Sequence, residues 1–228
     1  MAVKAFIFDI GGVLLDFDLD ALAARIADGR PEIVPRVHAL RDDPSLIEVE
    51  TGRMSGRHYF DRYIRPLAPT WSYGDLVQVW VDVFSRNERG QRLFADLRRQ
   101  RHPVYLLSNL ASFNAEAIAQ KYPSFFDASS GNFFSFELGC VKPEPEIYRK
   151  VTSRIGAAPA ECLFLDDTME CVEGARRAGL QALLFAASQI NGIRRAVARA
   201  LGERTGPARG RGSAAARGFR PKRAGSPA

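Results

Sequence analysis

Residues 4–14 read KAFIFDIGGVL, an apolar run that ends in an aspartate and, one residue later, a pair of glycines. A short apolar run of this kind, followed by a glycine-rich loop, is typical of a buried parallel strand. Asp9 would then lie at the carboxyl end of that strand. Because an isolated buried carboxylate is costly, Asp9 is expected to have a partner such as a cation. Gly11 and Gly12 would let the backbone and a phosphate approach closely.

The rest of the chain repeats this strand form and alternates it with helical patterns. Further strands are predicted at Val104–Ser108 (VYLLS), Cys162–Asp166 (CLFLD), 182–185 (ALLF) and within 133–136. Helices are predicted at 91–99, 111–121, Pro145–Ile155, 169–178 and 188–201. The alternation predicts an α/β fold with a doubly wound parallel sheet, whose ligand crevice lies beyond the carboxyl ends of the strands.

Residues 18–86 break the alternation, because they contain several helical patterns and no run that resembles a strand. They could add helices to the sheet or form a mobile cap over the crevice. We favour a cap, since so long an excursion at this point emerges beside Asp9. The expected organisation is a core of residues 1–16 and 88–202, a helical cap over 17–87, and a tail over 203–228.

The net charge of +6 comes from the tail, since residues 201–228 hold seven basic side chains and one acidic one. The tail is rich in Gly, Arg, Ala, Ser and Pro, and we expect it to be disordered. Its only large apolar side chain is Phe219. We therefore favour a solvated extension over a nucleic-acid-binding arm.

The cysteines and the N-terminal apolar run indicate the cellular compartment. The three cysteines lack paired metal-ligand spacing, so neither a disulfide framework nor a structural zinc site is expected. Asp9 interrupts the N-terminal apolar run, which predicts neither a secretory leader nor a membrane span. We expect a cytoplasmic protein without membrane contact, and leave monomer and dimer as alternatives.

A second acidic site, Asp166 and Asp167, ends another predicted strand. Adjacent carboxylates repel unless a cation lies between them, and Mg²⁺ prefers carboxylates together with water and phosphate oxygens. Asp9, Asp167 and the Gly11 carbonyl are the candidate ligands, with Asp166 as the alternative member of the pair. The simpler interpretation is one helix-capping aspartate with an exposed neighbour.

Two further segments carry candidate phosphate-binding groups. Ser108 and Asn109 close a strand, where a hydroxyl and backbone amides could hold phosphate oxygens. Lys142 lies in GCVKPEPEIY, where two prolines stiffen the loop before a helix. A rigidly held lysine could neutralise a phosphoryl group and Asp9. Taken singly, a Ser-Asn turn and a surface lysine are ordinary features.

In this order and spacing the motifs resemble those of the haloacid dehalogenase superfamily: FIFDIGGVL, LLSN, VKPEPEIY and LFLDDT. The resemblance covers roughly the first 190 residues. It implies a magnesium-dependent phosphohydrolase in which Asp9 attacks a phosphate monoester and is transiently phosphorylated. The cap segment EVETGRMS, with YLLSNL and VKPEPEIY, is similar to bacterial alpha-D-glucose-1-phosphate phosphatases. That similarity implies a small phosphorylated metabolite as substrate, such as an anomeric sugar phosphate.

The sequence departs from the family pattern at two positions. Most phosphatases of the family carry an acid/base aspartate two residues after the nucleophile, where this chain has Gly11. The leaving group would then depart with help from the metal, a water or a group of the cap, or it would be a good leaving group. Cys171 stands where relatives often have asparagine. The contact that this asparagine makes to the metal ligands is therefore in doubt in this chain, but the metal itself is not.

Two other functions remain open at this point. A 2-haloacid dehalogenase would use the same aspartate to attack carbon without Mg²⁺. A phosphate-binding regulator could have lost turnover together with the acid at position 11. Hydrolysis of a phosphate monoester that depends on Mg²⁺ separates the expected phosphatase from both.

Overall fold

The computed structural model describes residues 2–202, which contain seven strands and eleven α-helices. The strands are β1 Ala5–Phe8, β2 Leu15–Phe17, β3 Phe84–Arg86, β4 Val104–Ser108, β5 Asn132–Phe134, β6 Cys162–Asp166 and β7 Gln181–Leu184. Five of them form a parallel sheet in the order β5-β4-β1-β6-β7. The prediction of a doubly wound parallel sheet is confirmed, and β1 lies at its centre.

The helices are α1 Leu19–Ala27, α2 Val34–Ala39, α3 Pro44–Glu50, α4 Gly56–Tyr59, α5 Tyr73–Val83, α6 Glu88–Arg99, α7 Ser112–Lys121, α8 Ser135–Leu138, α9 Pro145–Ile155, α10 Met169–Arg177 and α11 Ile190–Ala200. A π-helical stretch, Phe60–Ile64, continues α4. No helix among the described residues is long and apolar enough to cross a membrane.

Helices cover both faces of the sheet. Successive side chains of β1 point to opposite faces, so they pack against different helices. Phe6 and Phe8 belong to one hydrophobic cluster together with buried residues of α6 and α11. Ala5 and Ile7 belong to a second cluster with buried residues of α9 and α10. Every residue of β1 is buried, so its polar neighbour Asp9 is held at a fixed position at the edge of the core.

Helices α1 to α5 form an insertion between β2 and β3, as the sequence predicts. The expectation that residues 18–86 contain no strand is wrong at one end, because β3 pairs antiparallel with β2. Each strand is three residues long, too short to show a pattern, and the partners lie about seventy residues apart. This ribbon brings the two ends of the insertion together beside the loop that follows Asp9.

The insertion is attached to the core through α5 and α7. The Tyr73 hydroxyl donates to Glu116 at 2.7 Å. The Lys121 ammonium donates to the carbonyls of Val81 at 2.7 Å and Phe84 at 2.6 Å. The division into core and cap stays a prediction, and the predicted basic tail, 203–228, lies outside the described residues.

Candidate active site

The polar residues that end the central strands lie side by side. Asp9 follows β1, while Ser108 and Asp166 are the last residues of the neighbouring strands β4 and β6. The Asp9 amide also donates to the Leu165 carbonyl at 2.9 Å, which continues the β1–β6 ladder to the strand end. Parallel pairing therefore brings together three residues that are far apart in sequence.

Lys142 lies between two buried carboxylates. Its ammonium is 2.9 Å from Asp9 Oδ2 and 2.6 Å from Asp166 Oδ2. Lys142 is 5% exposed, Asp9 7% and Asp166 0%, so water screens these charges little. Burial would lower the pKa of Lys142, but the two aspartates outweigh that effect and raise it. Lys142 is therefore a permanent cation in this cluster.

Hydrogen bonds and charge hold the Asp9 carboxylate in one orientation. Oδ1 accepts from the Ser108 hydroxyl and from the Ile10 amide, each at 2.7 Å. Oδ2 faces Lys142. Burial raises the pKa of Asp9 to about 6, against the opposing effects of Lys142 and Ser108. Asp9 is ionised in most molecules at neutral pH, and its position is set on three sides.

Asn109 holds the loop that carries Lys142. Its side-chain amide donates to the Lys142 carbonyl at 3.0 Å, and its Oδ1 accepts from the Lys142 amide at 2.9 Å. This two-point contact ties the lysine loop to the end of β4. The Asn109 side chain thus contacts protein backbone, and the expected contact of residue 109 with phosphate stays a prediction.

The two acidic residues after β6 differ in their surroundings. Asp166 is fully buried; its Oδ1 accepts from the Thr168 amide at 2.8 Å, and its Oδ2 faces Lys142. Asp167 is exposed, and its carboxylate accepts a hydrogen bond from the Thr168 hydroxyl at 3.4 Å. Burial and the neighbouring Asp166 raise the pKa of Asp167. One oxygen from each of Asp9, Asp166 and Asp167 lies within 4.8 Å of the others.

The two glycines after Asp9 have different environments. Gly12 has φ of +66°, and a β carbon there would overlap the Asp167 carboxylate. The close approach at this glycine is thus made by a protein carboxylate, and the expected approach of a phosphate stays a prediction. Gly11 has no left-handed backbone, and a β carbon there would lie 3.1 Å from Cε1 of Phe17.

Cys171 is a buried residue in the first turn of α10, after the acidic pair. Burial raises the pKa of the Cys171 thiol to about 12, so the thiol is protonated and neutral at physiological pH. Its carbonyl accepts from the Tyr148 hydroxyl at 2.8 Å. Residue 171 is thus an uncharged group in the wall of the site.

Glu50, the last residue of α3, is a candidate site residue that the sequence pattern does not single out. Its side chain is half-buried, and burial raises its pKa to about 7. Lys142 lowers this pKa and Asp9 raises it, so the Glu50 carboxyl lies within electrostatic range of both. Glu48 and Glu50 look alike in the pattern IEVETG, and no local signal distinguishes them.

The sheet, the helical insertion and the carboxylate cluster define an α/β protein whose central strand ends in an aspartate beside two further carboxylates. The chain belongs to the haloacid dehalogenase-like hydrolases, whose family model matches residues 3–179. The prediction of this family is confirmed.

Similar proteins include several phosphatases. The D-ribitol-5-phosphate phosphatase of Bacteroides thetaiotaomicron is 28% identical over 172 residues, which cover 72% of this chain and 83% of that protein. A phosphatase of Mycobacterium tuberculosis is 26% identical over 81% of this chain and 88% of its own. These names agree with the prediction of a phosphatase.

Solved structures share the fold. A haloacid dehalogenase family enzyme from Bacteroides thetaiotaomicron, in complex with magnesium and inorganic phosphate, has a TM-score of 0.70 at 24% identity and covers 81% of this chain and 95% of its own. The L-2-haloacid dehalogenase of Xanthobacter autotrophicus has a TM-score of 0.60 at 21% identity and covers 81% and 78%.

Proposed function

We propose that this hydrolase is a Mg²⁺-dependent phosphatase of small phosphate monoesters that works through an aspartyl phosphate at Asp9. The observation that carries the proposal is the fixed Asp9 carboxylate, held by Ser108 and Lys142 beside two further carboxylates. A carboxylate whose orientation is fixed in this way suits attack on a phosphorus atom brought to the strand ends.

The donor set fits a magnesium ion. Mg²⁺ prefers oxygen ligands and is held through one or two carboxylates together with phosphate oxygens. We assign Asp9, Asp167 and the Gly11 carbonyl as the ligands of Mg²⁺. An ion held there would neutralise charge on the phosphoryl oxygens of the substrate. Asp167 is the better ligand of the acidic pair, because both oxygens of Asp166 already face Lys142 and the Thr168 amide.

The other side chains have supporting roles in this mechanism. Asp9 attacks phosphorus, and the bond from phosphorus to the leaving oxygen breaks. Lys142 and Ser108 keep the Asp9 carboxylate in place, and Lys142 also attracts the phosphoryl group. Asn109 fixes the lysine loop, and Gly12 leaves room for Asp167 and for the phosphate.

We place the substrate among sugar and sugar-alcohol phosphates. The 28% identical relative named for D-ribitol 5-phosphate supports this class, as does the resemblance to alpha-D-glucose-1-phosphate phosphatases. The relatives named as phosphatases also favour a phosphate ester over a 2-haloacid as the substrate. A dehalogenase needs no Mg²⁺, so Asp167 would have no role in its reaction.

Phosphate release from a panel of substrates tests the proposal. The panel contains D-ribitol 5-phosphate, glucose 1-phosphate, glucose 6-phosphate and p-nitrophenyl phosphate, each with Mg²⁺ or with a chelator. We expect turnover with Mg²⁺ only, and loss of turnover in Asp9→Asn, which keeps the shape of the side chain and removes the nucleophile. Acid-quenched wild type should carry one phosphoryl group on Asp9 by mass spectrometry.

Three results would contradict the proposal. Asp9→Asn that keeps about a tenth or more of kcat would exclude Asp9 as nucleophile. Halide release from 2-haloacids in chelator would favour the dehalogenase. Thermal stabilisation by the phosphates without any hydrolysis would favour a phosphate-binding regulator.

A further inference from the structure

The residues assigned so far include no proton donor for the leaving group. Splitting an unactivated phosphate ester calls for a proton on the leaving oxygen, and glycine at position 11 has no side chain to supply it. Phe17 borders the position that a side chain at residue 11 would take, with Cε1 3.1 Å from the β-carbon position. The proton must come from another part of the site.

The end of helix α3 is docked onto the core next to the lysine loop. Gly52, two residues after Glu50, has φ of +69°, and a β carbon there would overlap the Phe136 carbonyl. Phe136 belongs to α8, which ends four residues before Lys142. The Thr51 hydroxyl donates to the Ile47 carbonyl at 2.6 Å and holds the last turn of α3. These contacts pack the end of α3, which carries Glu50, against α8 in the segment that leads to Lys142.

The Glu50 side chain is half-buried, and it lies at the end of α3, the helix that packs against α8. Within residues 2–202 the Glu50 carboxyl makes neither a hydrogen bond nor an ion pair. The titratable groups that act on it are Lys142 and Asp9, and Glu50 in turn acts on the buried Tyr59 phenol of α4. Burial raises its pKa to about 7, so protonated and ionised forms both exist at neutral pH. Such a group can give a proton and take one back.

We infer that Glu50 is the acid and base of the reaction, in place of a side chain at position 11. When Asp9 attacks phosphorus, the leaving oxygen takes the electron pair of the broken bond and the proton of the Glu50 carboxyl, and the alcohol departs. The Glu50 carboxylate then takes a proton from water as that water attacks phosphorus. The bond to Asp9 breaks, phosphate leaves, and Glu50 is protonated again.

This inference rests on the proposed phosphatase activity, and it widens the expected substrates. A site without a proton donor would be confined to good leaving groups such as an anomeric oxygen. With Glu50 as donor, esters of ordinary alcohols are also substrates. Substrates with poor leaving groups should therefore show the largest fall in kcat when the Glu50 proton is removed.

The experiment compares two substrates of similar shape whose leaving groups differ in basicity, p-nitrophenyl phosphate and phenyl phosphate, with Mg²⁺. Glu50→Gln keeps the size of the side chain and removes the proton. We expect kcat for phenyl phosphate to fall by about a hundredfold, and kcat for p-nitrophenyl phosphate by less than about tenfold. Glu48→Gln, on the exposed side of the same helix, is the control and should match the wild type.

Unequal losses in kcat support the assignment, provided that thermal melting shows Glu50→Gln to be folded. Equal losses on the two substrates, no loss on either, or a loss confined to KM would overturn the role of Glu50 while the phosphatase proposal stands. A wild type that hydrolyses neither substrate would overturn the phosphatase proposal and the role of Glu50 with it.

Discussion

The Asp167 carboxylate lies against the backbone of Gly12, at the position that a β carbon of residue 12 would occupy. The loop after the central strand and the acidic pair after β6 are thus in direct contact. Glycine is needed at position 12 for two reasons, a left-handed φ and this contact.

Gly12→Ala should therefore lower both stability and activity. The left-handed backbone alone costs about 1 kcal/mol or more, and displacing Asp167 should reduce kcat/KM by more than about tenfold. Gly156→Ala is the matched control, because Gly156 also has positive φ, of +74°, but a β carbon there meets nothing within 4 Å. Equal effects of the two variants on kcat/KM would show that contact with Asp167 is unimportant.

Replacing Lys142 with methionine should destabilise the fold as well as stop turnover. It would leave Asp9 and Asp166 buried without a cation, a change that typically costs about 3–5 kcal/mol. Urea unfolding measures the loss. Lys4→Met removes a surface ion pair to Glu161, which water screens, and should cost much less stability. A loss in Lys142→Met no larger than in Lys4→Met would contradict the buried cluster.

Magnesium should stabilise the folded protein through Asp167. At a concentration a hundred times its Kd, a ligand of the folded state adds about 2.7 kcal/mol, which a thermal melt detects. We expect the Tm to rise with Mg²⁺ in the wild type and to rise much less in Asp167→Asn. Glu170→Gln removes a charge three residues away, in the first turn of α10, and should keep the full response. An undiminished response in Asp167→Asn would exclude this residue as a ligand.

The stability of Glu50→Gln should depend on pH relative to the wild type. Folding raises the pKa of Glu50 from about 4.5 to about 7, so the wild type binds its proton more tightly when folded and loses stability as pH rises through this range. Glutamine does not titrate there. The free energy of unfolding of Glu50→Gln minus that of wild type should therefore increase from pH 5 to pH 8, as urea unfolding can measure. A difference that stays constant from pH 5 to pH 8 would mean that Glu50 is solvated.

Gly11→Asp should supply an acid two residues after the proposed nucleophile Asp9. The backbone at residue 11 accepts a side chain, and Phe17, 42% exposed, can move to make room. We expect a larger gain for substrates with poor leaving groups than for aryl or anomeric phosphates, and partial recovery of phenyl phosphate hydrolysis in the Glu50→Gln background. Gly11→Asn has the same shape without the proton and should give neither. Equal changes across both substrate types would show that an acid at residue 11 does not protonate the leaving oxygen.

The sequence determined the sheet and the chemistry of its strand ends, because both depend on short-range patterns. Apolar runs of four or five residues predict β1, β4 and β6 to within a residue, and Asp9, Ser108 and Asp166 follow from where those runs end. Parallel pairing then requires that these ends meet. The two prolines that follow Lys142 predict a rigidly held cation at that position.

Only the tertiary structure decided which groups pair within the site and what the insertion contributes. The three-residue strands β2 and β3 form by pairing with each other. Neither has a sequence pattern that predicts a strand. The placement of Asp167 over Gly12 depends on loops about 155 residues apart. Glu50 differs from Glu48 only in which side of α3 meets the core, since burial and the field of Lys142 and Asp9 set its pKa. Such properties arise from packing over long sequence separations, which local composition does not encode.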